Sequence, residues 1–120
     1  MSASILVVED DTDMREILEE LLAAEGFSVV SARNGREGLD RLRAGFRPSV
    51  SLLDLTMPVM DGWEFRARQT ADPFLRSIPT IVTTAMPESR VGPLAGASVL
   101  RKPLDLDSLI GLIRSHIAGS

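Results

Sequence analysis

Val50-Ser51-Leu52-Leu53-Asp54-Leu55-Thr56-Met57-Pro58-Val59-Met60-Asp61-Gly62 passes from an apolar run, through a single carboxylate, into a stretch punctuated by Pro and Gly. The run at 50–53 is short and almost continuously apolar, the pattern of a strand covered on both faces. Pro58 and Gly62 end regular structure, so Asp54 stands where a strand gives way to a loop. Four further short runs, at 5–8, 28–31, 80–83 and 98–100, have the same β-branched, apolar character.

Helical patterns lie between these runs. Met14, Ile17, Leu18, Leu21 and Leu22 recur at spacings of three and four and predict an apolar stripe on a first helix, capped by Thr12 or Asp13 and stopped by Gly26. A second helix is expected over 36–44 after Asn34-Gly35, weakened by Gly38. A third starts near Trp63 and fails before Asp72-Pro73. The last carries Leu106, Leu109, Ile110, Ile113 and Ile117 on one face behind an Asp105 cap. Between Thr84 and Ser98, Pro87, Gly92, Pro93 and Gly96 leave room for about two helical turns, so the fourth helix should be shortened or irregular. Strands alternating with helices predict an α/β protein, doubly wound, with a parallel sheet covered on both faces. Ligands of such sheets bind beyond the carboxyl ends of the strands.

The 120 residues suit one domain spanning 1–120. Apolar residues at 44% and charged residues at 25% supply a normal core and argue against disorder. There is no cysteine, which excludes disulfides, thiolate metal sites and cysteine nucleophiles and fits a reducing compartment. A net charge of −4 disfavours nucleic-acid binding. No apolar run approaches a membrane span, and Met1-Ser2-Ala3-Ser4 does not open a signal peptide, so a cytoplasmic location without membrane contact is expected.

Chemistry gathers after the apolar runs. Glu9, Asp10 and Asp11 follow the first, Asp54 ends the third, Thr83 and Thr84 end the fourth, and Lys102-Pro103 ends the fifth. Crowded carboxylates repel one another unless a proton or cation relieves them, and a few carboxylates with carbonyl oxygens and water suit Mg²⁺. One carboxylate can then act as a nucleophile toward phosphorus. In-line transfer needs positive charge around the equatorial oxygens, which Mg²⁺ and Lys102 would provide, with Thr84 offering a hydroxyl.

These stretches together resemble the receiver domains of two-component response regulators. The resemblance rests on Ile5-Leu6-Val7-Val8-Glu9-Asp10-Asp11, Leu53-Asp54 through Met57-Pro58 to Asp61-Gly62, Thr83-Thr84-Ala85 and Arg101-Lys102-Pro103, with Asn34-Gly35 and the approach Asp72-Pro73 to Ile78-Pro79 in the right order. It implies a flavodoxin-like (βα)5 three-layer sandwich with strand order 2-1-3-4-5. It implies Asp54 as phosphoacceptor, and Glu9, Asp10, Asp54 and the backbone carbonyl of Thr56 as Mg²⁺ ligands. Thr84 corresponds to the switch hydroxyl and Lys102 to the phosphate-contacting lysine, before a peptide bond to Pro103 that is often cis in the family. The implied donor is the phosphohistidine of a sensor histidine kinase or histidine phosphotransfer protein, and the output passes through contact with a further protein.

Three features depart from the family. Val99 stands where an aromatic residue is usual, three before the lysine. The stretch from Thr84 to Lys102 is several residues short. Thr56 and Met86, which flank the acceptor, are uncharged, so side-chain-assisted hydrolysis of the phosphoryl group is not expected. The rival readings are a non-switching receiver-like binding module and a phosphate shuttle or sink. A flavin or dinucleotide enzyme is disfavoured, because no Gly-rich phosphate loop follows the first strand. Asp11 reads equally well as a plain helix cap, His116 as a surface residue, Trp63 as packing, and Arg66, Arg68 and Arg76 as a modest basic patch.

Overall fold

The computed structural model describes residues 3–92, 94 and 96–118; the helix-breaking role read into Pro93 and the reading of Met1-Ser2 lie outside them. The elements are β1 (Ser4–Val8), α1 (Thr12–Ala24), β2 (Ser28–Ala32), α2 (Gly35–Arg43), β3 (Val50–Asp54), α3 (Gly62–Ala71), β4 (Thr80–Thr84), α4 (Glu88–Val91), β5 (Ser98–Arg101) and α5 (Leu106–Ala118). The five strands pair in parallel in the order β2-β1-β3-β4-β5, the flavodoxin-like arrangement. Each expected strand is one residue longer, at its start in β1 and at its end in the other four; β3 takes in Asp54 and β4 takes in Thr84.

Strand alternation divides the core in two. Leu6, Val8, Leu53 and Val82 face a cluster with Leu39, Leu42, Phe65 and Val91, on the side of α2, α3 and α4. Ile5, Val7, Leu52 and Ile81 face Leu18, Leu22, Leu109 and Ile113 of α1 and α5. Burial on both faces explains why the central strands read as apolar runs rather than alternating ones.

Several local expectations are corrected. The cap of α1 is Asp11, whose carboxylate accepts the Met14 amide at 3.1 Å, and neither Thr12 nor Asp13. Ile17, expected in the apolar stripe of α1, is 49% exposed, while Leu18 and Leu22 are buried. Gly38 does not merely weaken α2. A Cβ there would lie 2.9 Å from Val8 and 3.2 Å from Phe65, so its absence lets α2 press onto β1 and α3. Arg66 leaves the expected basic patch; it is buried and donates to Gln69 Oε1 at 2.9 Å and Thr80 Oγ1 at 3.3 Å. The fourth helix is short, as expected: four residues, Glu88–Val91. Trp63 packs against the core, and its indole also donates to the Val91 carbonyl at 3.0 Å. His116 is half-buried, with Nε2 at 3.2 Å from Ser98 Oγ. Among the described residues, no helix is long and apolar enough to cross a membrane.

Candidate functional site

Parallel pairing aligns the strand ends, so β1, β3, β4 and β5 deliver their following residues to one edge of the sheet. At that edge one carboxylate oxygen each of Glu9, Asp10 and Asp54 lies within 4.8 Å of the others. Glu9 and Asp54 are buried, whereas Asp10 faces solvent. Lys102 extends from the end of β5, anchored by its amide to the Thr84 carbonyl at 2.7 Å. Its Nζ lies 3.1 Å from Glu9 Oε1 and 3.5 Å from Asp54 Oδ1. The Lys102–Pro103 peptide bond is cis.

The electrostatics follow from that crowding. Burial strips water from Asp54, and the hydrogen bond and negative charge of Glu9 add to the penalty, with Asp10 contributing. Lys102 pulls in the opposite direction without cancelling them, and the Asp54 pKa rises to about 7. For Lys102, burial opposes the charge, yet Asp54 and Glu9 outweigh it and hold the ammonium above its ordinary range. Three carboxylates with one facing solvent form an oxygen-only, anionic donor set, which fits a hard divalent cation.

The loop after Asp54 is closed tightly. Leu55 donates its amide to the Thr83 carbonyl at 2.9 Å, and Gly62 donates to the Leu55 carbonyl at 2.8 Å. A Cβ on Gly62 would lie 2.7 Å from Leu55 Cα and 3.0 Å from the Asp54 carbonyl oxygen, closer than backbone atoms tolerate. Between them, Met60 donates to the Pro58 carbonyl at 2.8 Å, and Val59 takes φ +69°. That conformation strains a β-branched residue by about 1–3 kcal/mol.

The remaining expected residues take these places. Thr84 is buried at the end of β4, and its hydroxyl accepts the Met86 amide at 3.0 Å. Thr56 is exposed, with its hydroxyl 4.0 Å from Met86 Sδ. Asp11 caps α1, and its own amide reaches Glu9 Oε2 at 3.3 Å. One contributor escaped the sequence reading, and another does more than end regular structure. Arg15 donates from Nη1 to the Glu9 carbonyl at 2.9 Å, and Gly62 sets the loop. The Asp61-Gly62 pair before a helical pattern was the available signal for Gly62; nothing in the pattern marked Arg15.

Known proteins are similar to this chain in sequence and in fold. The profile of the response regulator receiver domain matches residues 5–114. Response regulator MprA of Mycolicibacterium vanbaalenii is 40% identical over 96% of this chain, which spans only 50% of that relative. Polar-differentiation response regulator DivK of Brucella anthropi is 31% identical, with 98% of each chain covered. The crystal structure of the signal receiver domain of a histidine kinase from Syntrophus aciditrophicus superposes with a TM-score of 0.90 at 29% identity, covering 98% of this chain and 92% of that one. Response regulator TrrA from Thermotoga maritima, solved in complex with Mg(2+)-BeF, gives 0.84 at 28% identity, covering 95% and 98%. The matched profile extends from the first residues of β1 into α5, and with the shared topology it establishes that the chain belongs to the response regulator receiver domain family of two-component signalling.

Proposed function

We propose that Asp54 accepts a phosphoryl group from the phosphohistidine of a sensor histidine kinase or histidine phosphotransfer protein, and that the phosphorylated domain signals by contact with another protein. The observation that carries this reading is the placement of Lys102 Nζ 3.5 Å from Asp54 Oδ1 beside the Glu9, Asp10 and Asp54 carboxylates. Glu9, Asp10, Asp54 and the Thr56 backbone carbonyl would hold Mg²⁺, which when bound favours ionised Asp54 and offsets negative charge on the phosphoryl oxygens. TrrA in its Mg(2+)-BeF complex supports this assignment by similarity.

The chain's own residues do the rest. An Asp54 carboxylate oxygen attacks phosphorus as the P–N bond to the donor imidazole breaks, and the released imidazole nitrogen takes a proton. Lys102 neutralises charge on the oxygens that move. Thr84 sits at the neighbouring strand end, where a turn of its hydroxyl away from the Met86 amide would let it donate to a phosphoryl oxygen. The shift in charge then biases a two-state equilibrium.

Incubation with a small acyl phosphate and Mg²⁺ is expected to add one acid-stable, base-labile phosphoryl group to the parent chain and none to Asp54→Asn. Full labelling of the Asn variant would place the chemistry elsewhere. The four-residue α4 and Val99 favour, as a second reading, a shuttle or sink with little output movement. That version predicts phosphorylation of Asp54 with α4 unchanged.

A further inference from the structure

Helix α4 cannot hold its own place. Four residues are far fewer than the dozen or so that an isolated helix needs. Pro87 at its start provides no side-chain cap, and Gly92 at φ +70° ends it at once. The turn's closing backbone bond is Arg90 amide to Pro87 carbonyl, at 2.9 Å. On the β5 side the helix faces open space, a cavity of about 320 Å³ lined by Thr84, Met86, Val91, Val99 and Arg101 among others.

On the α3 side it meets a polar anchor. Trp63 Nε1 donates to the Val91 carbonyl at 3.0 Å, at the last residue of α4, whose side chain is buried. Trp63 follows Gly62, and Gly62 is bonded to Leu55 and lies against the Asp54 carbonyl oxygen. The indole is therefore carried on backbone one residue from the closed acceptor loop. With a hydrogen bond on one side and a cavity on the other, the contact offers a route by which a displacement of residues 54–62 would reach α4.

We infer that Trp63 is a positioning residue that holds α4 in place and couples it to the acceptor loop. The coupling half rests on the phosphoacceptor reading of Asp54; the holding half does not. Trp63 is the only tryptophan among the 120 residues, so a single indole N–H resonance reports on it. That N–H is expected to exchange slowly with solvent and to shift when Mg²⁺ and beryllofluoride are added, but not in Asp54→Asn. In ligand-free Trp63→Phe, amide exchange at Arg90 and Val91 should accelerate roughly three- to tenfold, as loss of one hydrogen bond predicts. Beryllofluoride should still perturb residues next to Asp54 in that variant, while the response of α4 disappears. A freely exchanging indole N–H, parent-like exchange in Trp63→Phe, or an undiminished α4 response there would each overturn the inference. If the variant does not fold, the indole resonance decides. A parent that takes no beryllofluoride contradicts the phosphoacceptor reading, and the ligand-free exchange then judges Trp63 alone.

Discussion

Asp54 ionises near pH 7 in the folded chain but near 3.8 when fully solvated, so it links stability to pH with a definite sign. Below about pH 4 both states hold the proton. Between there and about 7 the unfolded chain releases its proton while the folded one keeps it, so metal-free stability falls as pH rises and then levels. Asp54→Asn should therefore be more stable than the parent at pH 8 without Mg²⁺, with little difference at pH 4, as measured by denaturant unfolding. A pH-independent difference would contradict the electrostatic account. Gly62 carries a packing constraint instead: Gly62→Ala must displace backbone at Leu55, at a cost of about 2–3 kcal/mol. Unfolding by urea with reduced phosphorylation of Asp54 would show both consequences. The acidic residues and Lys102 were legible because each follows an apolar run; the Gly62 contact was not, because only folding brings Asp54 and Leu55 against it.

Helix ends separate capping from metal binding. Asp11 accepts the Met14 amide and begins α1, so Asp11→Ala should cost about 1 kcal/mol and leave Mg²⁺ binding intact. Replacing both Glu9 and Asp10 by Ala should abolish Mg²⁺ binding while leaving metal-free stability equal or higher, since carboxylate repulsion is relieved. Calorimetric titration with Mg²⁺ and thermal unfolding of the same variants distinguish the two behaviours; parent-like titration by the double variant would refute the ligand assignment. The shortness of α4 was visible in Pro87, Gly92 and Gly96, residues whose backbone costs act locally. What steadies α4 was not visible, because Trp63 and Val91 are 28 residues apart and nothing in the spacing links them.

At the scale of the whole molecule, the net charge of −4 opposes binding to a polyanion, and burial removes Arg66 from the basic patch read in the sequence. The chain should give no salt-sensitive shift of duplex DNA at physiological ionic strength, and such a shift would overturn this reading. A protein that binds Mg²⁺ only when folded should also melt higher as Mg²⁺ increases, and that dependence should vanish without Glu9 and Asp10. The order and type of the elements, the parallel sheet and the gathering of acidic residues with Lys102 at its carboxyl edge were determined by the sequence itself. Apolar periodicity, glycine and proline act over a few residues, and parallel pairing then places strand ends together without further information. The tertiary structure alone decided that Arg66 is buried, that Ile17 is not, that Gly38 and Gly62 are close-contact positions, and that the Trp63 indole donates to the Val91 carbonyl. Each of these depends on which atoms of distant segments arrive within a few ångströms of one another, and residue spacing along the chain carries no record of that distance.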